Sequence, residues 1–319
     1  MQSLESVVVG VEFSPGSAGA LRQAIRIATW NRAAVHAVHV IDTLVAEELG
    51  EALAAFQPNA REGLIADATR AWGVFASAIE GAAGVSMDVR IDHRVRGILA
   101  AAREARADLL VVGACGAREE GAGVGQVALS CARHAMSRVL LVRETQGEPF
   151  KTIVACVDFS PTSRSALSQA ARVATQDGAA LHVLHVYEAP WHQLHYRAPT
   201  PEAADPRFQK QYRDGLERRL REFAGGLGRE IEYLAPTFAL LEWRGHRSGI
   251  VEYAGKNGAD LIVLGTRGRT NLRDVVMGST AEKVLRESAC SVLAVKPEGF
   301  EHPLAVAEPS HGGQRRTAF

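Results

Sequence analysis

A nine-residue phrase at the start of this chain is spoken again near its middle. Val7-Val8-Val9-Gly10-Val11-Glu12-Phe13-Ser14-Pro15 recurs as Ile153-Val154-Ala155-Cys156-Val157-Asp158-Phe159-Ser160-Pro161, 146 positions later. A second phrase, Asp108-Leu109-Leu110-Val111-Val112-Gly113, recurs as Asp260-Leu261-Ile262-Val263-Leu264-Gly265, 152 positions later. The order is kept and the spacing barely changes. Duplication on this scale sets two domains, and a chain of 319 residues gives each enough length to bury its own core. The expected bounds are 1–147 and 148–298, joined at the polar stretch Thr145-Gln146-Gly147-Glu148-Pro149. Beyond these, 299–319 loses periodicity, gains Gly, Pro and His, and reads as a flexible tail. The repeat is also an internal control: a polar or glycine feature present in one copy and lost from the other is not needed for folding alone.

Each copy alternates short β-branched runs with longer Ala-rich stretches, the pattern of a parallel sheet with crossover helices. The strands are expected at about 6–11, 34–40, 86–91, 108–112 and 138–142, and again at about 152–157, 180–186, 237–243, 260–264 and 291–295. Ser14-Pro15 and Ser160-Pro161 each place an N-cap hydroxyl ahead of a proline at the first helical position. Asn257-Gly258 suits a left-handed helix end.

Charge narrows the function. Lys+Arg and Asp+Glu balance at 36 each, so no net field draws the chain to nucleic acid or to an anionic membrane. No apolar run approaches the roughly 20 residues that span a bilayer. The first residues lead straight into a strand rather than a secretion signal. Cys115, Cys131, Cys156 and Cys290 show neither CxxC spacing nor a disulfide framework. A cytoplasmic setting is expected.

The chemistry concentrates in the second copy. After its fourth strand comes Gly265-Thr266-Arg267-Gly268, then nine residues, then Gly278-Ser279-Thr280 entering a helix. Glycines after a parallel strand let backbone N–H groups approach an anion, and a helix N-terminus with hydroxyls adds donors and partial positive charge. Asp158 ends the first strand on the same edge, where ligands of open α/β sheets bind. Each residue also has a plainer role open to it. Ser279-Thr280-Ala281-Glu282 fits a capping box, Asp158 suits a turn, and Arg267 and Arg269 suit solvent as well as a phosphate.

The GxxG-(x9)-GS pattern, together with Asp-Phe-Ser-Pro after the first strand, resembles the universal stress protein family in its tandem form, over about residues 4–297. That resemblance implies two doubly wound α/β domains, each a five-stranded parallel sheet in order 3-2-1-4-5, of the adenine-nucleotide α-hydrolase-like kind. It also implies ATP, with Mg, bound by members carrying this glycine pattern. Carried over by position, Val157 and Asp158 would meet adenine and ribose, with Ser160 near the ribose edge and the Val186 backbone facing adenine. Leu264, Gly265, Arg267 and Gly268 would line ribose and phosphates, and Gly278, Ser279 and Thr280 would hold the phosphates. The resemblance further suggests that the two domains pair through their fifth strands, 138–142 and 291–295.

The first copy departs from the pattern. Eight residues separate Gly116 from Gly125, Gln126-Val127 replaces the Ser-Thr pair, Glu12 replaces Asp158, and Glu119 and Glu120 add negative charge. His182 and His185 recur as His36 and His39, which assigns them to the scaffold. His192, His195, Trp191, Tyr196 and Phe208 have no counterparts and suit a packed loop better than a metal or ligand pocket. The arginines of 213–221 alternate with acids, as on a solvated helix. There is no GxxxxGK[ST], GxSxG or HExxH, no catalytic set and no metal set. Asp274 and Glu282 are the acids nearest the glycine loop.

The expectation is an ATP-binding stress-response regulator, gated by its ligand, with an unidentified protein partner and the option of a homodimer. The alternatives are a slow ATPase or nucleotidyl transferase, and a module for another small molecule such as a lipid or nucleotide-sugar intermediate. One nucleotide per chain is predicted; calorimetric titration finding two equivalent ATP sites would refute it.

Overall fold

The computed structural model describes residues 4–53, 59–115, 124–143, 147–192, 205–268 and 277–300. The join at 144–146, the loop residues 193–204 and 269–276 (with His195, Tyr196, Arg269 and Asp274), Gly116, Glu119, Glu120 and the tail 301–319 lie outside them.

The first half runs β1 (Ser6–Gly10), α1 (Pro15–Asn31), β2 (Ala34–Asp42), α2 (Thr43–Leu53), α3 (Ala60–Ser77), β3 (Ser86–Asp92), α4 (Arg94–Glu104), β4 (Leu109–Gly113), α5 (Gln126–His134) and β5 (Arg138–Val142). The second runs β6 (Thr152–Cys156), α6 (Pro161–Asp177), β7 (Ala180–Tyr187), α7 (Pro206–Gly225), α8 (Arg229–Leu234), β8 (Thr237–Glu242), α9 (His246–Lys256), β9 (Leu261–Gly265), α10 (Ser279–Glu287) and β10 (Ser291–Val295). Helix starts follow the local chemistry. The Ser14 and Ser160 hydroxyls accept from the N–H groups of Ser17 and Ser163, each with proline in the first turn. Gly178 closes α6 in the left-handed conformation with φ 65°, and Arg32 holds the same conformation after α1.

Within each half the strands follow the expected order 3-2-1-4-5, but the halves do not keep separate sheets. They form one ten-stranded sheet, β3-β2-β1-β4-β5-β10-β9-β6-β7-β8. Every pairing is parallel except β5 with β10, which is antiparallel in the register Leu141 to Val292, Leu140 to Leu293 and Val139 to Ala294. The expected meeting of fifth strands is thus a continuous backbone seam. Val139 to Val142 and Ser291 to Val295 are all buried, as two apolar edges demand. One layer of core joins Leu21 of α1, Leu167 of α6 and Leu220 of α7 through Leu140 and Leu293. The other joins Ile98 of α4, Leu129 of α5, Ile250 of α9 and Leu285 of α10 through Leu141 and Val292. Because β5 and β10 run oppositely, the carboxyl ends of the strands in the two halves lie on opposite edges of the sheet.

Polar pairs across the seam follow the repeat. Arg26 of α1 pairs with Asp177 at the end of α6, and the equivalent Arg172 donates to Asn31 at the end of α1 (2.8 Å). Asp177 also accepts the N–H of Phe150 (2.8 Å), anchoring the entry to β6. Past the fifth strands, Arg143 donates to the carbonyl of Ser288 after α10. In mirror fashion, Lys296 donates to the carbonyls of Ala132 (2.7 Å) and Arg133 (3.0 Å) in α5. Each half places a cation on the C-terminal carbonyls of the other half's last helix, where the helix dipole favours positive charge.

Lys296 is the buried member of this set. Burial, and then the nearby Arg267 cation, push its ammonium down to about 7. An unfolded lysine titrates near about 10.4. Between these values the unfolded chain holds the extra proton, so stability rises with pH across that window. Thermal midpoints of the wild type relative to Lys296→Met are therefore expected to climb from pH 7 to pH 9, and a flat difference would contradict this.

Candidate functional site

The crevice lies at the carboxyl ends of β6 and β9, neighbours in the sheet where the strand order reverses direction. After β6 the chain turns sharply through Phe159, whose φ of 64° is unusual for a residue with a side chain. Its ring is held 4.5 Å from His185, 5.6 Å from Phe223 and 4.2 Å from the Arg219 guanidinium. Phe13 repeats the conformation (φ 60°) against His39, so the turn is scaffold. His185 Nδ1 donates to the carbonyl of Val157 (2.7 Å) and His39 Nδ1 to that of Val11 (2.8 Å), which gives the recurrent histidines their expected bracing role.

This turn aims Asp158 into the crevice. Its Oδ1 accepts from the Ser160 hydroxyl (2.6 Å) and the Ser160 N–H (3.0 Å). Ser160 is therefore both the cap of α6 and the post that holds the carboxylate. Across the crevice, a Cβ on Gly268 would stand 2.8 Å from Asp158 Oδ2, so the bare glycine is what admits the carboxylate. Gly265 has a different reason: its Cβ would stand 2.8 Å from Thr162 Cγ2, and Gly113 packs likewise on Gly16. Both copies need that glycine for helix-to-strand packing.

The N-terminus of α10 overturns one option. Gly278, not Ser279, is the N-cap residue, and no side chain caps the helix. The capping box over 279–282 does not form, because the cap position falls on Gly278, which has no side chain; Glu282 pairs instead with Arg133 of the first half (2.6 Å) and with Arg286 (3.2 Å). Those pairings also occupy the carboxylate that lay nearest for a magnesium ion. The first-turn N–H groups of α10 are left to other partners, with the Ser279 and Thr280 hydroxyls beside them. Gly278 itself donates to the Thr266 carbonyl (2.7 Å), closing the loop onto the end of β9. Gly125 does the same to Ala114 (2.8 Å) and also lacks a side-chain cap, so the closure belongs to the fold.

Sequence reasoning passed over Thr266. This residue is fully buried, its N–H donates to the Val295 carbonyl (2.9 Å), and its hydroxyl has no hydrogen-bond partner among the described residues. The first copy has Ala114 at this position, so the fold does not ask for a hydroxyl there. That difference between the copies was the available signal. The other expected site residues are apolar walls or loop: Val157, Val186 and Leu264 are buried at strand ends, and Arg267 is half-buried with its guanidinium 4.9 Å from the Phe300 ring centre. Val186 packs so closely on α9 that a Cβ on Gly249 would stand 2.8 Å from it.

Outside the crevice, Trp191 packs on Phe208 (5.7 Å) and Tyr212 (5.3 Å), and His192 lies 3.3 Å from Glu242, as a packed cluster. The α7 arginines are exposed, as expected. Arg221 pairs with Glu217 (2.8 Å) but also stacks on Phe238 (4.6 Å). Among the described residues no group of three metal-ligating side chains converges, and no helix is long and apolar enough to cross a membrane.

A doubly wound α/β domain with a glycine at the end of its fourth strand, at the switch point, is present twice. Residues 4–143 and 149–296 each match the universal stress protein family, and the chain belongs to it. Universal stress protein A homolog 1 of Coxiella burnetii is 34% identical over 152 residues, covering 46% of this chain and 96% of that protein. A universal stress protein of Mycolicibacterium smegmatis is 24% identical over 310 residues, covering 91% of this chain and 97% of the relative. Among solved structures, a protein from Pseudomonas aeruginosa PAO1 aligns with a TM-score of 0.62 at 20% identity, covering 92% of this chain and 93% of that one. A universal stress protein from Archaeoglobus fulgidus aligns with a TM-score of 0.58 at 18% identity, covering 93% and 99%. These two likenesses speak for the tandem fold.

An unpartnered buried hydroxyl costs about 1–3 kcal/mol. Thr266→Val, which keeps the shape, is expected to stabilise the ligand-free protein by about 1 kcal/mol. Urea unfolding checks this, and a loss of stability would show that the hydroxyl is satisfied.

Proposed function

We propose that this protein is a regulatory binder of one adenine nucleotide, ATP, held in the second half between the loops that follow β6 and β9. The observation that supports this best is a buried hydroxyl without a partner, Thr266, beside a helix start without a side-chain cap. The first half has alanine at the equivalent position. A ligand rich in oxygen acceptors suits the uncapped N–H groups of α10. In this reading Gly278, Ser279 and Thr280 hold phosphates, and Gly265, Arg267 and Gly268 line the path to them. Asp158, steadied by Ser160, accepts from ribose hydroxyls. Val157, Val186 and Leu264 border the base.

The role is regulatory because binding energy is its output. A ligand that prefers one state of the loops shifts their population only by its differential affinity. We place this response in the cytoplasm and expect a protein partner to read it. Magnesium would arrive on the nucleotide rather than on Glu282, which is already paired twice.

Nucleotide at about 100 times its Kd stabilises a native state by about 2.7 kcal/mol. ATP is therefore expected to raise the thermal midpoint by several degrees. Gly268→Val, whose Cβ would collide with Asp158, is expected to abolish that rise, whereas Gly125→Ala in the first half should leave it intact. No rise in the wild type, or an unchanged rise in Gly268→Val, would reject the proposal.

A further inference from the structure

A cleft of about 1240 Å³ opens where the two halves meet, its Val295 to Phe300 wall adjoining Thr266 and Arg267 of the nucleotide crevice. It exists because β5 and β10 are antiparallel: the start of β5 (Ser137, Arg138) then lies beside the exit from β10 (Lys296 to Phe300), with α4 and α6 as flanking walls. Its volume is at the upper end of, or above, the range of about 300–1,000 Å³ common for small-molecule sites.

The lining is chemically lopsided. Arg103, Arg106, Arg138, Arg164 and Lys296 all contribute, and Arg96 adds a cation tied to Asp92. The acids are only Asp108 and Glu298, and Asp108 is engaged by the N–H groups of Glu5 (2.7 Å) and Ser6 (3.1 Å). Arg138 is half-buried and donates to a neutral group, Gln169 Oε1 (3.2 Å), with the charge of Asp108 nearby. Arg164 donates to the Phe223 carbonyl (3.1 Å), and Lys296 to two carbonyls, so none of these three is neutralised by a carboxylate bond. Arg106 has no ion-pair partner among the described residues. The Ser137 hydroxyl is buried on the same wall with no hydrogen-bond partner among the described residues. Beside these groups stand apolar surfaces from Leu99, Met136 and Phe300.

We infer that this interdomain cleft is a second ligand site, for a small organic anion that carries one acidic group on an apolar body. The acidic group meets the guanidinium of Arg138, with Arg103 and Arg106 adding positive charge on the same lining. The apolar body covers Leu99, Met136 and Phe300. Neither half alone can form the site, because Arg103, Arg106 and Arg138 come from the first and Arg164 and Lys296 from the second. The inference does not depend on nucleotide binding in the second half.

The test uses the full chain and a matched pair of probes, 8-anilinonaphthalene-1-sulfonate and its uncharged parent N-phenyl-1-naphthylamine, followed by fluorescence titration. One sulfonate per chain is expected, bound at least tenfold more tightly than the neutral parent. The exposed double variant Arg103→Glu with Arg106→Glu, with its thermal midpoint checked, should weaken the sulfonate at least tenfold. Arg138→Gln should do the same if it folds. Gly268→Val, which reports on the nucleotide crevice, should bind the sulfonate as the wild type does. Equal affinity for the two probes, indifference to the double variant, or loss only in Gly268→Val would each overturn the inference.

Discussion

The antiparallel pairing of β5 with β10 is the constraint from which the rest of the molecule follows. Both strands are apolar after their first residue and would be open hydrogen-bonding edges if the halves stood apart. Pairing them satisfies the backbone and buries leucines and valines of both halves, each worth about 1.5–3 kcal/mol. It also leaves each half's last helix pointing its carbonyls at the other half. Arg143 and Lys296 answer that need in the same way from opposite sides. A two-fold arrangement built from a repeat needs every solution only once, and the repeat then supplies it twice.

The same repeat separates scaffold from chemistry at the crevice. The strand-end turn with Phe13 or Phe159, the bracing histidine, and the glycine packed on the first helix occur in both halves. They hold the edge of the sheet in shape whatever binds there. Thr266, Asp158 and the Ser279-Thr280 pair belong to the second half alone. A hydroxyl buried without a partner is a cost that folding does not require, since alanine serves in the other copy.

Much of this was legible beforehand, and the misses have physical causes. Strand positions were readable within one or two residues because β-branched runs bounded by turns are short-range signals. The capping-box alternative at Ser279 to Glu282 fails because the cap falls on Gly278, and Glu282 meets Arg133, about 150 positions away, which no local stretch reveals. Arg219 and Arg221 are exposed as their i,i+4 acids suggested, but their stacking on the rings of Phe159 and Phe238 was invisible in sequence. Thr266 escaped notice since isolation of a hydroxyl depends on what surrounds it.

By itself, then, the sequence determined the duplication, the strand positions, the serine-proline helix starts and the glycine loop, because each is written in contiguous residues whose backbone preferences act locally. The strand order within each half came from the family resemblance. Only the tertiary structure decided that the two sheets become one, that the carboxyl edges of the halves face opposite ways, and that Lys296 is buried against a foreign helix. It also decided that a cation-lined cleft opens at the seam. These depend on the direction in which two edge strands meet, and that direction is set by packing across the whole molecule rather than by any short stretch of chain.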